Sequence, residues 1–349
     1  MKKGFLVLAV VLLCVGMALP AAAAEGGQPG IEGKKVNGSG LIFDGELFVP
    51  LRAVAESTGY SVRWSEADNK ITLLKPGQEI ILSLTDRKVS VSGHQYFLME
   101  GYKLIDGRTY VPQNFIADNL GFQVQWDKEN DVVFLSSIQL NPVTVKTKII
   151  TSDTGSLLLN IQYPEIEGLA DESIQSKING TFEKIADQAR AEGIKNGDVI
   201  SGESAARNVR AETYFNYRIK YNQNDILSVV FQNYQYTGGA HGLTVQSSYT
   251  FNLKTGRQYG LNDLFGDDAG YVSLISREIK SQLAERGIME TLNPFEAIKA
   301  DQDFYVNDKG IVIYFQQYEI MPYAYGIPEF TIGRASLAGL LKENIWPVE

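Results

Sequence analysis

The sequence predicts an α+β fold: a small strand-helix-strand domain present twice, followed by an antiparallel sheet accompanied by helices. Three observations lead there. A stretch near the start recurs at a fixed offset of 62 residues, which indicates an internal duplication. Beyond residue 141, apolar residues alternate with polar ones in several successive runs, the period of half-buried strands. Segments with helical spacing interrupt those runs instead of alternating with them one for one, which separates α+β from α/β.

Taken in order, Met1 to about Ala24 reads as a secretory signal peptide. Lys2 and Lys3 open it, Phe5 to Val15 is apolar, and Ala22-Ala23-Ala24 offers a small-residue cleavage site. Cys14 follows Leu12-Leu13 inside the apolar run, so the signal reads as unlipidated, and the run is short of a membrane span. No later segment approaches about 18 uninterrupted apolar residues, so no transmembrane segment is expected in the mature chain. Residues 25–35, rich in glycine and charge, read as a flexible linker. Cleavage would remove the single cysteine, and with it any disulfide or thiol nucleophile. It would also take the net charge from −9 to −11, because Lys2 and Lys3 leave. That acidity argues against nucleic acid or an anionic membrane as partner and favours a basic protein or cationic polymer. The expected location is secreted or cell-wall associated.

Residues 36–137 hold the duplication. Phe48-Val49-Pro50-Leu51-Arg52-Ala53-Val54-Ala55-Glu56 recurs as Tyr110-Val111-Pro112-Gln113-Asn114-Phe115-Ile116-Ala117-Asp118, and Gly59, Val62 and Trp64 recur as Gly121, Val124 and Trp126. In each copy a strand ends at Val-Pro, where proline suits the first turn of a helix. The first helix is expected over Leu51 to Thr58, with Val54 and Ala55 buried in one copy and Ile116 and Ala117 in the other. Gly59 or Gly121 supplies the stop. Tyr60, Val62 and Trp64 then alternate as a strand, and Ile71 to Leu73 form another. The tryptophans read as core residues, with an exposed sugar-stacking pair as the alternative. These motifs resemble the copper amine oxidase N-terminal domain family in repeated form. The resemblance implies a non-catalytic stalk domain. A copper oxidase needs a histidine cluster, and the chain has two histidines in all. The second copy has Gln113-Asn114 where the family pattern has an apolar residue and arginine, leaving Arg52 alone to carry any role of that arginine.

Residues 136–142 make the expected domain boundary, with 141–235 and 236–349 as two parts of one further unit. Strands are expected over 143–150 and 157–163, then a helix with Ile174, Ile178, Phe182, Ile185 and Ala189 on its apolar stripe. Gly193 and Asn196-Gly197-Asp198 are expected to end it, leaving a mobile loop as far as Asn208. Further strands are expected over 214–221, 226–236, 243–253, 304–306 and 311–320. A helical entry follows at Leu261 to Phe265, then a helix through Tyr271, Leu274, Ile275 and Ile279, and a short terminal helix over Leu337 to Leu341. The most unusual local sequence joins two of the strands: Tyr236-Thr237-Gly238-Gly239-Ala240-His241-Gly242. Its glycines permit the positive φ of a tight reversal. On one reading they serve the turn alone and His241 bonds a backbone carbonyl. On the other they let a ligand approach, with His241 and Tyr236 at the rim. A strand-then-helix context is missing, so it is not a phosphate-binding loop.

Four motifs in this half resemble the extracellular region of RsiV-type anti-sigma-V factors and the N-terminal domain of PdaC-type peptidoglycan deacetylases. They are Tyr236 to His241, Phe251 to Gly256, Leu261 to Phe265, and Tyr318-Glu319-Ile320-Met321-Pro322-Tyr323-Ala324-Tyr325-Gly326. The resemblance implies a receptor-like module, since in the anti-sigma factor this region binds lysozyme. With no sigma-binding segment expected, it implies the sensor without the signalling parts. Fourteen of the 18 tyrosines lie after residue 142, which suits strands and also protein-binding surfaces. The candidate ligand-binding residues are therefore Tyr236, Thr237, Gly238, Gly239, His241, Tyr318, Tyr323 and Tyr325. No His-x-x-x-His spacing and no Gly-x-Ser-x-Gly elbow occurs, so no catalytic residue, metal ligand or cofactor is assigned. The expected function is an exported, non-catalytic envelope binding protein for a basic protein or a peptidoglycan-like polymer. The rivals are a wall hydrolase or deacetylase using carboxylates, such as Glu165/Glu167 or Asp267/Asp268, and a structural spore or wall protein.

Overall fold

The computed structural model describes residues 33–43, 45–98, 101–203, 209–265 and 270–342. The signal peptide over 1–24, most of the 25–35 linker, and Asp267/Asp268 lie outside the described residues. The chain divides into two compact units, which meet in sequence between Gln139 and Leu140.

The first unit contains β1 (Lys34–Asn37), β2 (Leu41–Phe43), β3 (Glu46–Pro50), α1 (Leu51–Ser57), β4 (Ser61–Ser65), β5 (Lys70–Lys75), β6 (Gln78–Ser83), β7 (Lys88–Val91), β8 (His94–Phe97), β9 (Lys103–Ile105), β10 (Arg108–Pro112), α2 (Gln113–Leu120), β11 (Phe122–Asp127) and β12 (Val132–Ser137). The duplication is written into the strand register. Trp64 pairs with Ile71 in one copy and Trp126 with Val133 in the other; Leu41 pairs with Phe48, and Lys103 with Tyr110. The copies meet through β3 and β10, where Val49 pairs with its own counterpart Val111, so a local two-fold axis passes between those valines. Each helix begins directly after proline, and Gly121 caps α2 in the left-handed region at φ 78°. Val54, Ala55, Phe115 and Ile116 are buried as one core, whereas Ala117 is only half-buried. Trp64 is not a core residue: it is 47% exposed on the edge strand β4, whereas Trp126, on the edge strand β11, is half-buried and packs against the core.

The second unit contains β13 (Thr144–Asp153), β14 (Leu157–Glu167), α3 (Glu172–Glu203), β15 (Ala211–Gln223), β16 (Ile226–Tyr236), β17 (Leu243–Asn252), β18 (Gln258–Tyr259), a 3₁₀ turn at Leu261–Leu264, α4 (Gly270–Glu285), β19 (Phe304–Val306), β20 (Gly310–Tyr314), a 3₁₀ turn at Tyr323–Tyr325, β21 (Glu329–Gly333) and α5 (Arg334–Leu337). Strands β13 to β18 form one six-stranded sheet in chain order, and β19 to β21 a three-stranded sheet. On β16, Leu227, Val229 and Phe231 pack under Ile178, Phe182 and Ala186 of α3. The alternate residues face the other way: Val230 packs on Tyr305, Val312 and Tyr314 of the small sheet. The far face of that sheet, with Ile311 and Ile313, packs on Ile275 and Ile279 of α4. The unit is therefore layered as helix, sheet, sheet, helix, and the fold is α+β.

Several sequence expectations give way here. Helix α3 does not stop at Gly193 or Asn196-Gly197-Asp198 but continues to Glu203. A Cβ at Gly193 would lie 2.6 Å from Thr213 Oγ1, and one at Gly197 would lie 3.0 Å from Leu157 Cβ. These glycines permit close helix-sheet approach; they do not end the helix. The expected loop is thus helical as far as 203, and 204–208 lie outside the described residues. Because α3 carries the chain back across the sheet, β14 and β15 are parallel, the one exception to antiparallel pairing in that sheet. The strand expected over 311–320 ends at Tyr314, the terminal helix ends at Leu337, and β1, β2, β6 to β9, β18 and β21 are not expected from the sequence.

Candidate functional site

The reversal between β16 and β17 and the segment after β20 come together. The hairpin tip runs from Thr237 to Gly242, between Tyr236 and Leu243. Beside it, the 316–326 segment is held along the free edge of β17 by glutamine side chains acting as a substitute strand. Gln316 Oε1 accepts from Gln246 N–H at 3.0 Å and its Nε2 donates to the Gln246 carbonyl at 2.8 Å. Gln317 Oε1 accepts from Thr244 N–H at 2.8 Å, and Glu319 in turn accepts from Gln316 N–H at 2.8 Å. An edge that would otherwise offer unpaired backbone groups is closed.

This clamp places His241 among tyrosines more than 70 residues away in sequence. The imidazole stacks on Tyr323 with ring centroids 3.9 Å apart and planes 23° from parallel, and Tyr318 lies 5.7 Å from Tyr323. His241 Nδ1 is 3.0 Å from the Gly242 carbonyl, which can only accept, so the proton sits on Nδ1. Nε2 then faces the Tyr318 hydroxyl at 3.3 Å, and the Tyr323 hydroxyl donates to the same Gly242 carbonyl at 3.1 Å. Tyr318 is held at φ 66°, a region side-chain-bearing residues rarely adopt, at a cost of roughly 1–2 kcal/mol. Such backbone strain concentrates at functional positions. Tyr234 backs the group: its ring touches Gly242, and burial, then Glu212 and Tyr323, raise its hydroxyl above the ordinary phenol range.

Of the eight sequence candidates, His241, Tyr318 and Tyr323 form this stack. Tyr325 is exposed, two residues along the same 3₁₀ turn. Tyr236 ends β16 opposite Glu212 and is half-buried. Thr237, Gly238 and Gly239 are exposed at the tip, and Gly238, not Gly239, takes the left-handed conformation, at φ 87°. Missed from sequence were the two glutamines, and also Leu243, Val245, Met289 and Leu292. These four, with Tyr318 and Tyr325, are each more than 40% exposed. They lie on the clamped strand, on the 316–326 segment, or on the 288–295 segment, which Leu292 N–H and Asn293 Nδ2 tie to the Ile320 and Glu319 carbonyls at 2.8 and 2.7 Å. Glu165 and Glu167, a carboxylate pair suggested by sequence, are ion-paired with Lys148 and Lys146 at 3.0 and 2.6 Å. Among the described residues no group of three or more His, Cys, Asp or Glu could hold a metal ion.

Fold and site together define a two-unit α+β chain: a duplicated small domain, and a layered unit that carries a clamped aromatic loop. Comparison with known sequences places each part. Copper amine oxidase N-terminal domain matches residues 30–135, Deacetylase PdaC matches 150–244, and Protein of unknown function (DUF3298) matches 262–335. His241 thus comes from the second region, and Tyr318 and Tyr323 from the third. Among curated relatives, the anti-sigma-V factor RsiV of Bacillus subtilis is 28% identical over 194 residues, covering 52% of this chain and 65% of the relative. The peptidoglycan-N-acetylmuramic acid deacetylase PdaC of the same organism is 24% identical over 206 residues, covering 57% of this chain and 42% of the relative. Two solved structures of DUF3298 family proteins are similar: one from Bacteroides fragilis (18% identity, TM-score 0.47, 59% of this chain and 94% of that one) and one from Pseudomonas aeruginosa (14%, 0.46, 60% and 98%). Among the described residues no helix is long and apolar enough to cross a membrane.

Proposed function

We propose that this chain is an exported, non-catalytic binding protein of the cell envelope, whose 140–342 unit receives a basic protein of the lysozyme type. The observation that carries the proposal is the clamped loop: two segments far apart in sequence are locked together to present His241, Tyr318, Tyr325 and neighbouring apolar residues outward. A pre-ordered aromatic surface loses little entropy on binding, and central aromatic residues carry most of the affinity of protein interfaces. The net charge of −9 suits a basic partner, and the likeness to an anti-sigma-V factor points the same way.

The test is calorimetric titration of the full chain with a c-type lysozyme. We expect saturable binding, with Tyr323→Ala weakening it by more than about 1 kcal/mol because His241 loses its stacking partner. Added salt should slow association without abolishing the complex. Absence of binding by a folded chain would remove the proposal. Release of soluble products from peptidoglycan would instead favour the hydrolase reading.

A further inference from the structure

Strand β15 carries one carboxylate that the fold leaves without a cation of its own. Glu212 stands directly opposite Tyr236 on β16 and opposite Leu158 on β14. Cross-strand partners share a face, and so do residues two apart along a strand. Tyr214 and Tyr234, paired in the next row, therefore lie on the Glu212 side of the sheet. Helix α3 packs on the opposite side, against Phe215 and Phe231. Glu212, Tyr214, Tyr234 and Tyr236 are all half-buried.

Among the described residues the Glu212 side chain makes no hydrogen bond and no ion pair. The cations of β15 and its approach are engaged or distant. Arg210 Nη1 bonds Asp153 Oδ1 at 3.1 Å, and Asp153 stands across Leu158 from Glu212 in the same row. Arg218 and Lys220 lie farther along the strand, about 20 Å or more away in extended chain. Two rings feel the Glu212 charge: burial first, and then Glu212, raise the Tyr214 and Tyr234 hydroxyls above the ordinary phenol range. These rings also join this end of the sheet to the clamped loop. Tyr214 and Tyr234 are 6.1 Å apart, and Tyr234 lies against Gly242, whose carbonyl holds His241 and Tyr323.

Resting on the reading of this unit as the receiver of a basic protein, we propose that Glu212, flanked by Tyr214 and Tyr236, takes an arginine side chain of that partner. A guanidinium is planar and forked, so it stacks on a tyrosine ring while donating two parallel hydrogen bonds to one carboxylate. A tyrosine and a glutamate on adjacent strands, with Cβ atoms about 5 Å apart, meet both needs of one side chain. A lysine ammonium is compact and strongly hydrated, and gains less from such a pairing. The half-buried carboxylate has already given up part of its hydration, which an arriving guanidinium replaces. The row of rings runs on to Tyr323 and His241, so a single partner surface reaches both places.

The experiment titrates the full chain with hexaarginine at low ionic strength, followed by calorimetry and by the tyrosine ring signals of an isotope-labelled sample. The expected result is saturable binding that moves the Tyr214 and Tyr236 ring signals. Affinity should fall about tenfold in Glu212→Gln, the worth of one charge-assisted hydrogen bond. It should hold in Glu183→Gln, which removes the same charge from an exposed position of α3. Hexalysine should bind more weakly. Unmoved Tyr214 and Tyr236 signals would overturn the site, as would equal losses in the two variants, the mark of attraction by net charge alone. Equal affinity for hexalysine would overturn the arginine assignment. The ring signals need no substitution, so a Glu212→Gln chain that fails to fold leaves the test intact. Titration of the same chains with a c-type lysozyme separates site from partner. Lysozyme binding indifferent to Glu212→Gln would overturn the arginine contact and keep the lysozyme reading. Hexaarginine binding at these rings without any lysozyme binding would remove that reading and keep the site.

Discussion

A Cβ added to Gly242 would overlap the Tyr234 ring, whereas one added to Gly239 would meet nothing closer than the His241 carbonyl oxygen at 3.8 Å. Gly238 differs again: its φ of 87° suits glycine, and a Cβ there would lie 3.0 Å from Val209 Cγ1. Three glycines in one tip thus do three different things. We expect Gly242→Ala to destabilise the unit by about 1–3 kcal/mol through overpacking. Gly238→Ala should cost roughly 1–2 kcal/mol in backbone strain. Gly239→Ala should stay within about 0.5 kcal/mol, as exposed substitutions usually do. Denaturant titrations of the three variants check this ranking, and a large loss for Gly239→Ala would refute the assignment. The sequence marked this stretch as unusual and named His241, Tyr318 and Tyr323 together. It could not say which glycine turns the chain and which makes room for a ring, because room depends on Tyr234 being folded against it. Nor did it reveal Gln316 and Gln317, which are ordinary residues until their amides lie along an open strand edge.

Helix α3 shows the same limit over a longer span. Periodicity located its apolar stripe, and Ile178, Phe182 and Ala189 are buried as expected. Its end was misplaced because glycine both stops helices and lets them sit close to a sheet, and local sequence does not separate the two. The start is clearer: Asp171 accepts from Ser173 and Ile174 N–H at 2.8 and 3.2 Å, and the Ser173 hydroxyl and those amides hold its carboxyl below the usual aspartate range. Two glycines of α3 give a contrast of sign. Gly180 has open space around a would-be Cβ, while Gly193 has Thr213 Oγ1 at 2.6 Å. Gly180→Ala should stabilise by about 0.5–1 kcal/mol through helix propensity. Gly193→Ala gains the same propensity yet should lose about 1–3 kcal/mol to overpacking. Equal effects of the two in thermal melts would mean that α3 does not rest on β15 as described. Strand β21 was unreadable for a related reason: Glu329-Phe330-Thr331-Ile332-Gly333 is short, and only its pairing with β20 makes it a strand.

The duplicated unit was the part most legible in advance, because the 62-residue offset survives in the pairing of β2–β3 and β9–β10 and of β4–β5 and β11–β12, with Val49 opposite Val111 where the copies meet. Sequence also placed a boundary at 136–142, and the structure tells where in that range the chain is tied. Ile138 N–H donates to Gly121 O within the first unit, at 2.9 Å. Asn141 is anchored in the second: its Nδ2 donates to Asn222 Oδ1 and Ile226 O, each at 2.9 Å, and its Oδ1 accepts from Asp225 N–H at 2.8 Å. Gln139 and Leu140 lie between these anchors, and Leu140 is half exposed. Each unit has its own buried core, so each should unfold as its own cooperative transition. Calorimetry of the full chain should therefore resolve two transitions. Asn141→Ala should lower only the one belonging to the second unit, by about 1–3 kcal/mol, since it leaves Asp225 N–H and Ile226 O without their partner. Limited proteolysis should cut at Gln139–Leu140 and release two fragments that keep those transitions. A single transition shifted as a whole by Asn141→Ala would show instead that the two cores fold as one.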